Sequence, residues 1–181
     1  MNIRPAGPAD AAALATIYGH HVLNGFGTFE TEAPTAEDMA ERIAAVQALG
    51  LPYLLAEAGC ETLGFAYGAP FRPRASYRYT VEDSVYIAPS RMGQGVGKAL
   101  LGEIIAACTA MGLRQMVAVI GDSANAGSIG LHRAMGFAPV GTFSAIGHKH
   151  GRWVDVVMMQ RALNAGAATA PDAAGLALSG H

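Results

Sequence analysis

The order of apolar patterns along the chain predicts a single α/β domain. Short runs rich in β-branched and aromatic residues alternate with longer segments in which apolar residues recur every three or four positions. No segment repeats, and no linker-like stretch divides the first 163 residues. A chain of 181 residues is long enough for one domain with a sizeable core.

The N-terminal part of the chain is predicted to form a short strand and two helices. The strand is Ile3–Arg4, and Asp10 can cap a helix that runs to about Asn24. Thr35 and Asp38 have the spacing of a capping box, which predicts a second helix. Further strands are predicted at Tyr53–Ala58, Thr62–Ala69, Tyr79–Ile87, Gln115–Ile120, Val140–Gly147 and Trp153–Arg161. Further helices are predicted at Lys98–Met111 and Asn125–Met135.

Residues 164–181 differ from the rest of the chain. They are rich in alanine and glycine and show neither helical nor strand periodicity. We therefore expect a domain at residues 1–163 and a disordered tail after it.

Composition argues against several classes of protein. The net charge of -2 and the lack of a basic stripe argue against a nucleic-acid partner. Polar or turn residues interrupt every apolar run short of a membrane span, and the N-terminus lacks the apolar core of a secretory signal. Cys60 and Cys108 have neither metal-like nor redox spacing, and two unpaired thiols fit a reducing compartment. The expectation is a cytoplasmic protein that binds neither nucleic acid nor membranes.

The stretch from residue 82 to residue 98 is the most informative part of the chain. A strand-like run stops at Pro89, glycines follow at alternate positions (Gly93, Gly95 and Gly97), and Lys98 opens an apolar run with helical spacing. Such a strand, turn and helix present free backbone N–H groups and a positive dipole end to an anion. Glycine is favoured because a side chain would keep a phosphate away from the backbone.

Two other phosphate-binding loops do not match this stretch. A Walker loop requires G-x-x-x-x-G-K-[ST], but Met92 replaces its first glycine and Ala99 follows Lys98. A dinucleotide fingerprint, G-x-G-x-x-G/A, that started at Gly93 would end on Lys98. From the loop alone, a plain glycine turn remains an equal alternative.

The loop resembles the acyl-CoA pyrophosphate loop of the GNAT superfamily of N-acetyltransferases, whose pattern is Q/R-x-x-G-x-G/A. Residues 92–97 read M-G-Q-G-V-G, so the glycines are present, while Met92 replaces the leading Gln or Arg and Arg91 stands one place earlier. Residues 125–137, NAGSIGLHRAMGF, resemble the family's second signature. A tyrosine of that signature often protonates the departing thiolate, and His132 occupies its position.

Segments 74–82, 117–121 and 147–155 are similar to phosphinothricin and methionine sulfoximine N-acetyltransferases, and the resemblance runs from about residue 3 to about residue 163. It implies the GNAT fold, a mixed, mostly antiparallel sheet that is splayed between two strands and flanked by helices. It also implies acetyl-CoA as the donor and direct transfer in a ternary complex. The implied acceptor is the amine of a small amino-acid-like compound such as phosphinothricin, methionine sulfoximine or methionine sulfone. Relatives of this branch are commonly homodimers.

Strand alternation places Glu82 on one face with Thr80, Ser84 and Tyr86, and Asp83 on the other face with apolar residues. From this pattern alone, Glu82 is an ordinary solvent-facing or salt-bridged glutamate. The resemblance implies instead that Glu82 is the general base. A base is needed because an amine is largely protonated at neutral pH and must lose a proton before it attacks a thioester.

His132 has two interpretations. A histidine beside Leu131 and Met135 on a helix is often a buried, hydrogen-bonded structural residue. The resemblance favours a catalytic role, in which its near-neutral imidazole donates a proton to the thiolate or assists deprotonation.

The resemblance also assigns residues to the donor. The backbone after Ser84 would receive the pantetheine arm like an added strand, the glycine loop would hold the pyrophosphate, and the next helix would contact the arm from the other side. The donor-binding residues assigned in this way are Val85, Tyr86, Ile87, Gly93, Gln94, Gly95, Val96, Gly97, Lys98, Asn125 and Ser128. For Lys98, a solvated lysine at the start of the helix is an equal alternative to a phosphate contact.

For the acceptor, a guanidinium fork suits a substrate carboxylate. The resemblance favours Arg74, with Tyr77, Phe29 and Glu82, whereas Arg72 and Arg78 are taken as solvated residues. No metal is expected, because the alternating pair at residues 148 and 150 has no third ligand.

Two other functions stay open. The chain could acetylate a polyamine or a protein N-terminus, for which an acidic trough would be expected rather than an arginine-bearing loop. It could also be a non-catalytic acyl-CoA-binding sensor, against which the presence of Glu82 argues.

Overall fold

The computed structural model describes residues 1–178. Within them, seven strands form one sheet in the order β1-β2-β3-β4-β5-β7-β6, and four α-helices pack around it. The strands are β1 Asn2–Pro5, β2 Tyr53–Ala58, β3 Glu61–Pro70, β4 Thr80–Ile87, β5 Gln115–Gly121, β6 Ala138–Lys149 and β7 Arg152–Ala162. The helices are α1 Ala11–Asn24, α2 Ala36–Ala48, α3 Val96–Ala110 and α4 Ala126–Ala134. None of these helices is both long enough and apolar enough to cross a membrane.

Strands β4 and β5 are parallel, and every other neighbouring pair is antiparallel. The parallel pairing joins residues 80–83 to residues 115–118 and ends there. β4 continues to Ile87 and β5 to Gly121, so the two strands separate over their last residues. The fold class is confirmed as a mixed, mostly antiparallel sheet that is splayed between two strands.

The chain buries two apolar cores. One contains Leu100, Leu101 and Ile104 of α3 together with Val81 and Met116 of the sheet. The other joins α1 and α2 to the first strands, through Leu14, Val22, Met39, Ile43, Leu55 and Phe65. Burial of one such side chain stabilises the folded state by about 1.5–3 kcal/mol. Both cores therefore contribute to holding β4 in place.

The two predicted helix starts differ in outcome. Thr35 and Asp38 form the expected capping box, with Oγ1 of Thr35 accepting from the backbone N–H of Asp38 at 3.1 Å. Asp10 precedes α1, but its side chain does not cap that helix. It accepts instead from the guanidinium of Arg4 at 2.8 and 2.9 Å and from the backbone N–H of Gly7. The prediction of Asp10 as a cap was therefore wrong, because an ion pair across the chain competes for the carboxylate.

The tail after residue 163 packs against the domain over its described part. Residues 164–178 contain neither helix nor strand, yet Leu176 is only 3% exposed and lies in the core beneath α3. The guanidinium of Arg114 donates to the carbonyls of Gly166 and Thr169 at 2.9 and 2.7 Å, and the hydroxyl of Tyr79 donates to the carbonyl of Ala173. These contacts differ from the disordered tail that composition predicts. Residues 179–181 of that prediction lie outside the described residues.

Candidate active site

A cleft of about 420 Å³ lies where β4 and β5 separate. Its walls come from the end of β4, the glycine loop before α3, the end of β5 and the start of α4. Of the residues predicted for the donor or for catalysis, those that line it are Val85, Tyr86, Ile87, Gly93, Gly95, Gly97, Lys98, Asn125, Ser128 and His132.

The glycine loop has the backbone conformation that its sequence requires. Gly93 and Gly95 have φ angles of 74° and 83°, in the left-handed region that favours glycine. Gly95 is the N-cap of α3, and among the described residues no side chain caps this helix. The first backbone N–H groups of α3 are therefore left without a side-chain acceptor, which is the arrangement that binds anions.

Gln94 and Val96 do not line the cleft. The amide of Gln94 donates to the carbonyl of Ser90 at 2.9 Å, and Val96 is buried in the core beneath α3. Of these two residues, therefore, only the backbone groups can make the predicted contact with a donor.

After Asp83, the backbone N–H and C=O groups of successive residues of β4 point alternately toward β3 and toward the gap between β4 and β5. The N–H of Ala88 donates to Leu63 on the β3 side, so by alternation the backbone groups of Tyr86 also face β3. Those of Val85 and Ile87 face the gap. The carbonyl of Ile87 is already taken by Nε2 of His21 at 2.8 Å. Val85 therefore has the backbone groups on this strand that are most available to a ligand.

Asn125 links α4 to β5. Its Oδ1 accepts from the backbone N–H of Ser128 at 3.1 Å, and its amide donates to the carbonyl of Gly121. Gly121 is required here, because a Cβ on it would lie 2.0 Å from the carbonyl oxygen of Phe26. The connection between α1 and α2 therefore crosses the end of β5 and brings Gly27 to the cleft.

Glu82 lies one residue before the strands separate, opposite Val117. Burial raises the pKa of its carboxyl to about 7, the charge of Asp83 adds to the rise, and Arg72 opposes it. None of the ion pairs formed by residues 1–178 involves Glu82. A carboxylate with this pKa can accept a proton at neutral pH.

His132 is 4% exposed and is held by two acceptors. Its Nε2 lies 2.9 Å from Oδ2 of Asp83 and its Nδ1 lies 2.8 Å from the carbonyl oxygen of Ser128. Burial lowers the pKa of the ring, but the hydrogen bond and charge of Asp83 and the Ser128 carbonyl outweigh burial, so that the pKa is raised. Both of its interpretations are compatible with these contacts.

Asp83 and His21 line the cleft and were missed at the level of sequence. A signal for Asp83 existed, because a carboxylate among the apolar residues of a strand face needs a buried partner. For His21, which lies on α1, the sequence offers no such signal.

The residues predicted for the acceptor do not line the cleft. Arg74 and Tyr77 are exposed, and Arg72 instead is the arginine whose charge acts on Glu82. Phe29 packs its ring so close to the backbone of Gly147 that a Cβ there would lie 2.0 Å from Cε1. Nζ of the buried Lys149 donates to the carbonyl of Thr28 at 2.7 Å. The hairpin of β6 and β7 therefore fixes the segment that carries Phe29.

Within residues 1–178, no cluster of three or more histidine, cysteine, aspartate or glutamate side chains has a geometry that could hold a metal ion. The ring of His148 contacts that of Trp153, with 5.3 Å between the centroids.

Comparison with known proteins agrees with this architecture. The sequence profile of the acetyltransferase (GNAT) domain family matches residues 3–158. A phosphinothricin N-acetyltransferase of Alcaligenes faecalis is 50% identical over 163 residues, which are 90% of this chain and 83% of that protein. An L-methionine sulfoximine/L-methionine sulfone acetyltransferase of Salmonella typhimurium is 38% identical over 173 residues, which are 96% of this chain and 99% of that protein.

A solved structure is similarly close. It is the crystal structure of a GNAT superfamily phosphinothricin acetyltransferase from Sinorhizobium meliloti in complex with AcCoA. It matches with a TM-score of 0.91 at 46% identity, over 94% of this chain and 92% of that one. The glycine loop, the splayed sheet and these matches lead to one conclusion: the chain is an acetyltransferase and belongs to the GNAT family.

Proposed function

We propose that this acetyltransferase moves the acetyl group of acetyl-CoA to the amine of a small amino-acid-like compound of the phosphinothricin, methionine sulfoximine or methionine sulfone type. The observation that carries the proposal is the position of Glu82, whose pKa is about 7, next to Asp83 in the wall of a cleft that ends on the uncapped start of α3. The relatives named for those substrates support this class of acceptor.

The residues of the cleft fit a diphosphate. Gly93 and Gly95 line the cleft, and a Cβ added to either would meet no atom within 4 Å, so both border open space. The N-terminal N–H groups of α3 supply hydrogen-bond donors and a positive dipole end, and Lys98 adds a charge. Acetyl-CoA, when bound, supplies the thioester that is broken.

Glu82 is the proposed general base. The substrate ammonium gives one proton to this carboxylate, and the free amine attacks the thioester carbonyl to form the new C–N bond. The nitrogen then gives its second proton to water, and the C–S bond breaks with its electron pair on sulfur. The thiolate then takes up a proton. A base of this kind typically contributes a factor of about 10²–10⁴ to the rate.

His132 is the proposed source of the proton for sulfur. Both of its ring nitrogens are engaged, so the proton needs a path out of the ring. The hydroxyl of Ser128 lies 3.3 Å from Nδ1 and Ser128 lines the cleft, so we propose that this hydroxyl relays the proton.

The acceptor carboxylate is proposed to bind near the arginine-bearing segment before β4. Arg72 stacks on the ring of Phe71 at 4.8 Å and its charge acts on Glu82, which favours it over the predicted Arg74 as the nearer guanidinium. Tyr77 and Phe29 remain proposed neighbours of the acceptor.

An assay of thiol release from acetyl-CoA tests this function. Phosphinothricin, methionine sulfoximine and methionine sulfone should release thiol, whereas methionine sulfoximine carboxamide, which lacks the carboxylate, should react at least about tenfold more slowly. Faster reaction with spermidine or with an N-terminal peptide would move the proposal to those acceptors. Calorimetric binding of acetyl-CoA without thiol release from any amine would identify a sensor instead.

We also propose that the enzyme is a cytoplasmic homodimer. Val140, Phe143 and Ile146 of the edge strand β6 and Trp153 of the neighbouring β7 are exposed apolar residues. Exposed apolar residues that cluster in this way are typical of a protein interface. Light scattering should give twice the chain mass for the unmodified protein and the single-chain mass for the Phe143→Lys/Ile146→Lys variant, and a single-chain mass for both would contradict a dimer.

A further inference from the structure

Asp83 is a buried carboxylate with incomplete hydrogen bonding. It is 5% exposed, and its Oδ2 lies 2.9 Å from Nε2 of His132. Among the described residues, Oδ1 is buried and has no hydrogen-bond partner. Burying a carboxylate in this way costs free energy, so its presence in the wall of the cleft calls for a role beyond packing.

The contacts of His132 fix where its protons are. The carbonyl oxygen of Ser128 can only accept, so Nδ1 at 2.8 Å carries a hydrogen. Nε2 faces a carboxylate oxygen, so a second proton lies between Nε2 and Oδ2 of Asp83. The pair therefore holds one proton more than a neutral imidazole beside a free carboxylate would hold.

Asp83 also acts on the other face of β4. The adjacent Glu82 owes the rise in its pKa first to burial and then to the charge of Asp83, while Arg72 opposes the rise. The charge of Glu82 also acts on the hydroxyl of Tyr67, and the charge of Asp83 acts on the thiol of Cys108. The edge of the Phe137 ring completes the surroundings of His132.

On the basis of the proposed function, we propose that Asp83 is a positioning residue that serves both proton-carrying groups of this site. Its hydrogen bond fixes the protonated ring of His132 at the cleft wall, and its charge acts across the strand on Glu82. One carboxylate thereby keeps the acid protonated for the departing thiolate and helps the base to accept a proton from the incoming ammonium.

The protonation states can be read without turnover. In the unmodified protein, ¹⁵N NMR of the histidine rings should show both nitrogens of His132 protonated at neutral pH. Carboxyl ¹³C NMR should show Glu82 titrating near pH 7. These measurements stand even if no amine is acetylated, so failure of the proposed function is distinguishable from failure of this inference.

The Asp83→Asn variant removes the charge and keeps the size of the side chain. We expect the titration of Glu82 to move about one pH unit lower and His132 to lose its second proton at lower pH. The acidic limb of the kcat/KM profile should move with Glu82. Glu103→Gln removes one negative charge from an exposed position of α3 and should leave both titrations and the rate profile unchanged.

Two results would overturn the inference. One is a singly protonated His132 ring at neutral pH in the unmodified protein, which tests the pair even where Asp83→Asn fails to fold. The other is a folded Asp83→Asn variant that loses rate equally at every pH, with the Glu82 titration unmoved, as a purely structural residue would.

Discussion

The paired and the separated halves of β4 and β5 lie on the same two strands but have different surroundings. In the paired half, Val81 and Met116 are completely buried. In the separated half, residues 84–87 and 119–121 line the cleft. The first half stabilises the sheet, and the second leaves backbone groups for a ligand. Stability and chemistry are thus divided within a few residues along one strand, with Glu82 at the boundary.

The largest effect on the catalytic rate is expected at Glu82. Glu82→Gln removes the proposed base and should lower kcat by a factor of about 10²–10⁴, with acetyl-CoA affinity retained. Thiol release and calorimetry measure the two quantities. Glu103→Gln, on the exposed face of α3, serves as the control of equal charge change. Undiminished acetyl transfer in Glu82→Gln would show that Glu82 is not the base.

The same variant should change stability in a pH-dependent way. The pKa of Glu82 is raised in the folded state from 4.5 to about 7, so its contribution to stability is present below 4.5 and is lost as the pH rises through 7. The melting temperature of Glu82→Gln, relative to the unmodified protein, should therefore increase between about pH 5 and about pH 8. A pH-independent difference would argue against a carboxyl whose pKa is raised by burial.

In the paired half of the two strands, we expect a substitution to lower stability and to leave ligand binding unchanged. Met116→Ala empties part of the core beneath α3 and should lower the free energy of unfolding by about 2–5 kcal/mol. KM for acetyl-CoA should stay within about twofold, because Met116 does not line the cleft. Urea unfolding and steady-state kinetics measure the two effects. A large rise in KM would show that the two halves are not separable.

The glycine loop allows a matched pair of variants. Gly95 and Gly59 both have left-handed φ angles, and a Cβ on either would meet no atom within 4 Å. Both Gly→Ala changes should cost about 1–2 kcal/mol of stability. Gly95→Ala alone should raise the Kd for acetyl-CoA, by about tenfold, which is about 1.4 kcal/mol. Equal affinities in calorimetry would contradict a donor site on this loop.

The smallest effect concerns the two side-chain caps. Asn125→Ala and Thr35→Ala each remove the cap of one helix and should each lower stability by about 1 kcal/mol. Asn125 lines the cleft, whereas Thr35 is exposed and does not line it. Only Asn125→Ala should therefore raise KM for acetyl-CoA. If both variants leave KM unchanged, Asn125 acts only as a cap.

Much of this fold was predictable because its signals are local. The capping box at Thr35, the glycines before α3 and the alternation along β4 are each read from a few consecutive residues. The bounds of α3 shifted to an earlier start because Gly95, rather than Lys98, ends the turn.

The parts that were missed depend on contacts between distant residues. Asp83 and His132 are far apart in sequence, so the ion pair emerges only when α4 packs against the end of β4. The local pattern assigns Asp10 to the nearest helix, whereas the competing guanidinium of Arg4 comes from the first strand. Local rules cannot decide between two partners of one side chain.

Leu176 has a practical consequence for anyone who shortens this chain. The region that matches the family ends at residue 158, and this end suggests that everything after the last strand could be removed. Such a deletion would expose apolar core residues to solvent and would remove the carbonyl acceptors of the guanidinium of Arg114, a residue that is only 6% exposed. Affinity tags should accordingly be joined beyond residue 178, and a version ending at 163 should be handled as a destabilised protein prone to aggregation.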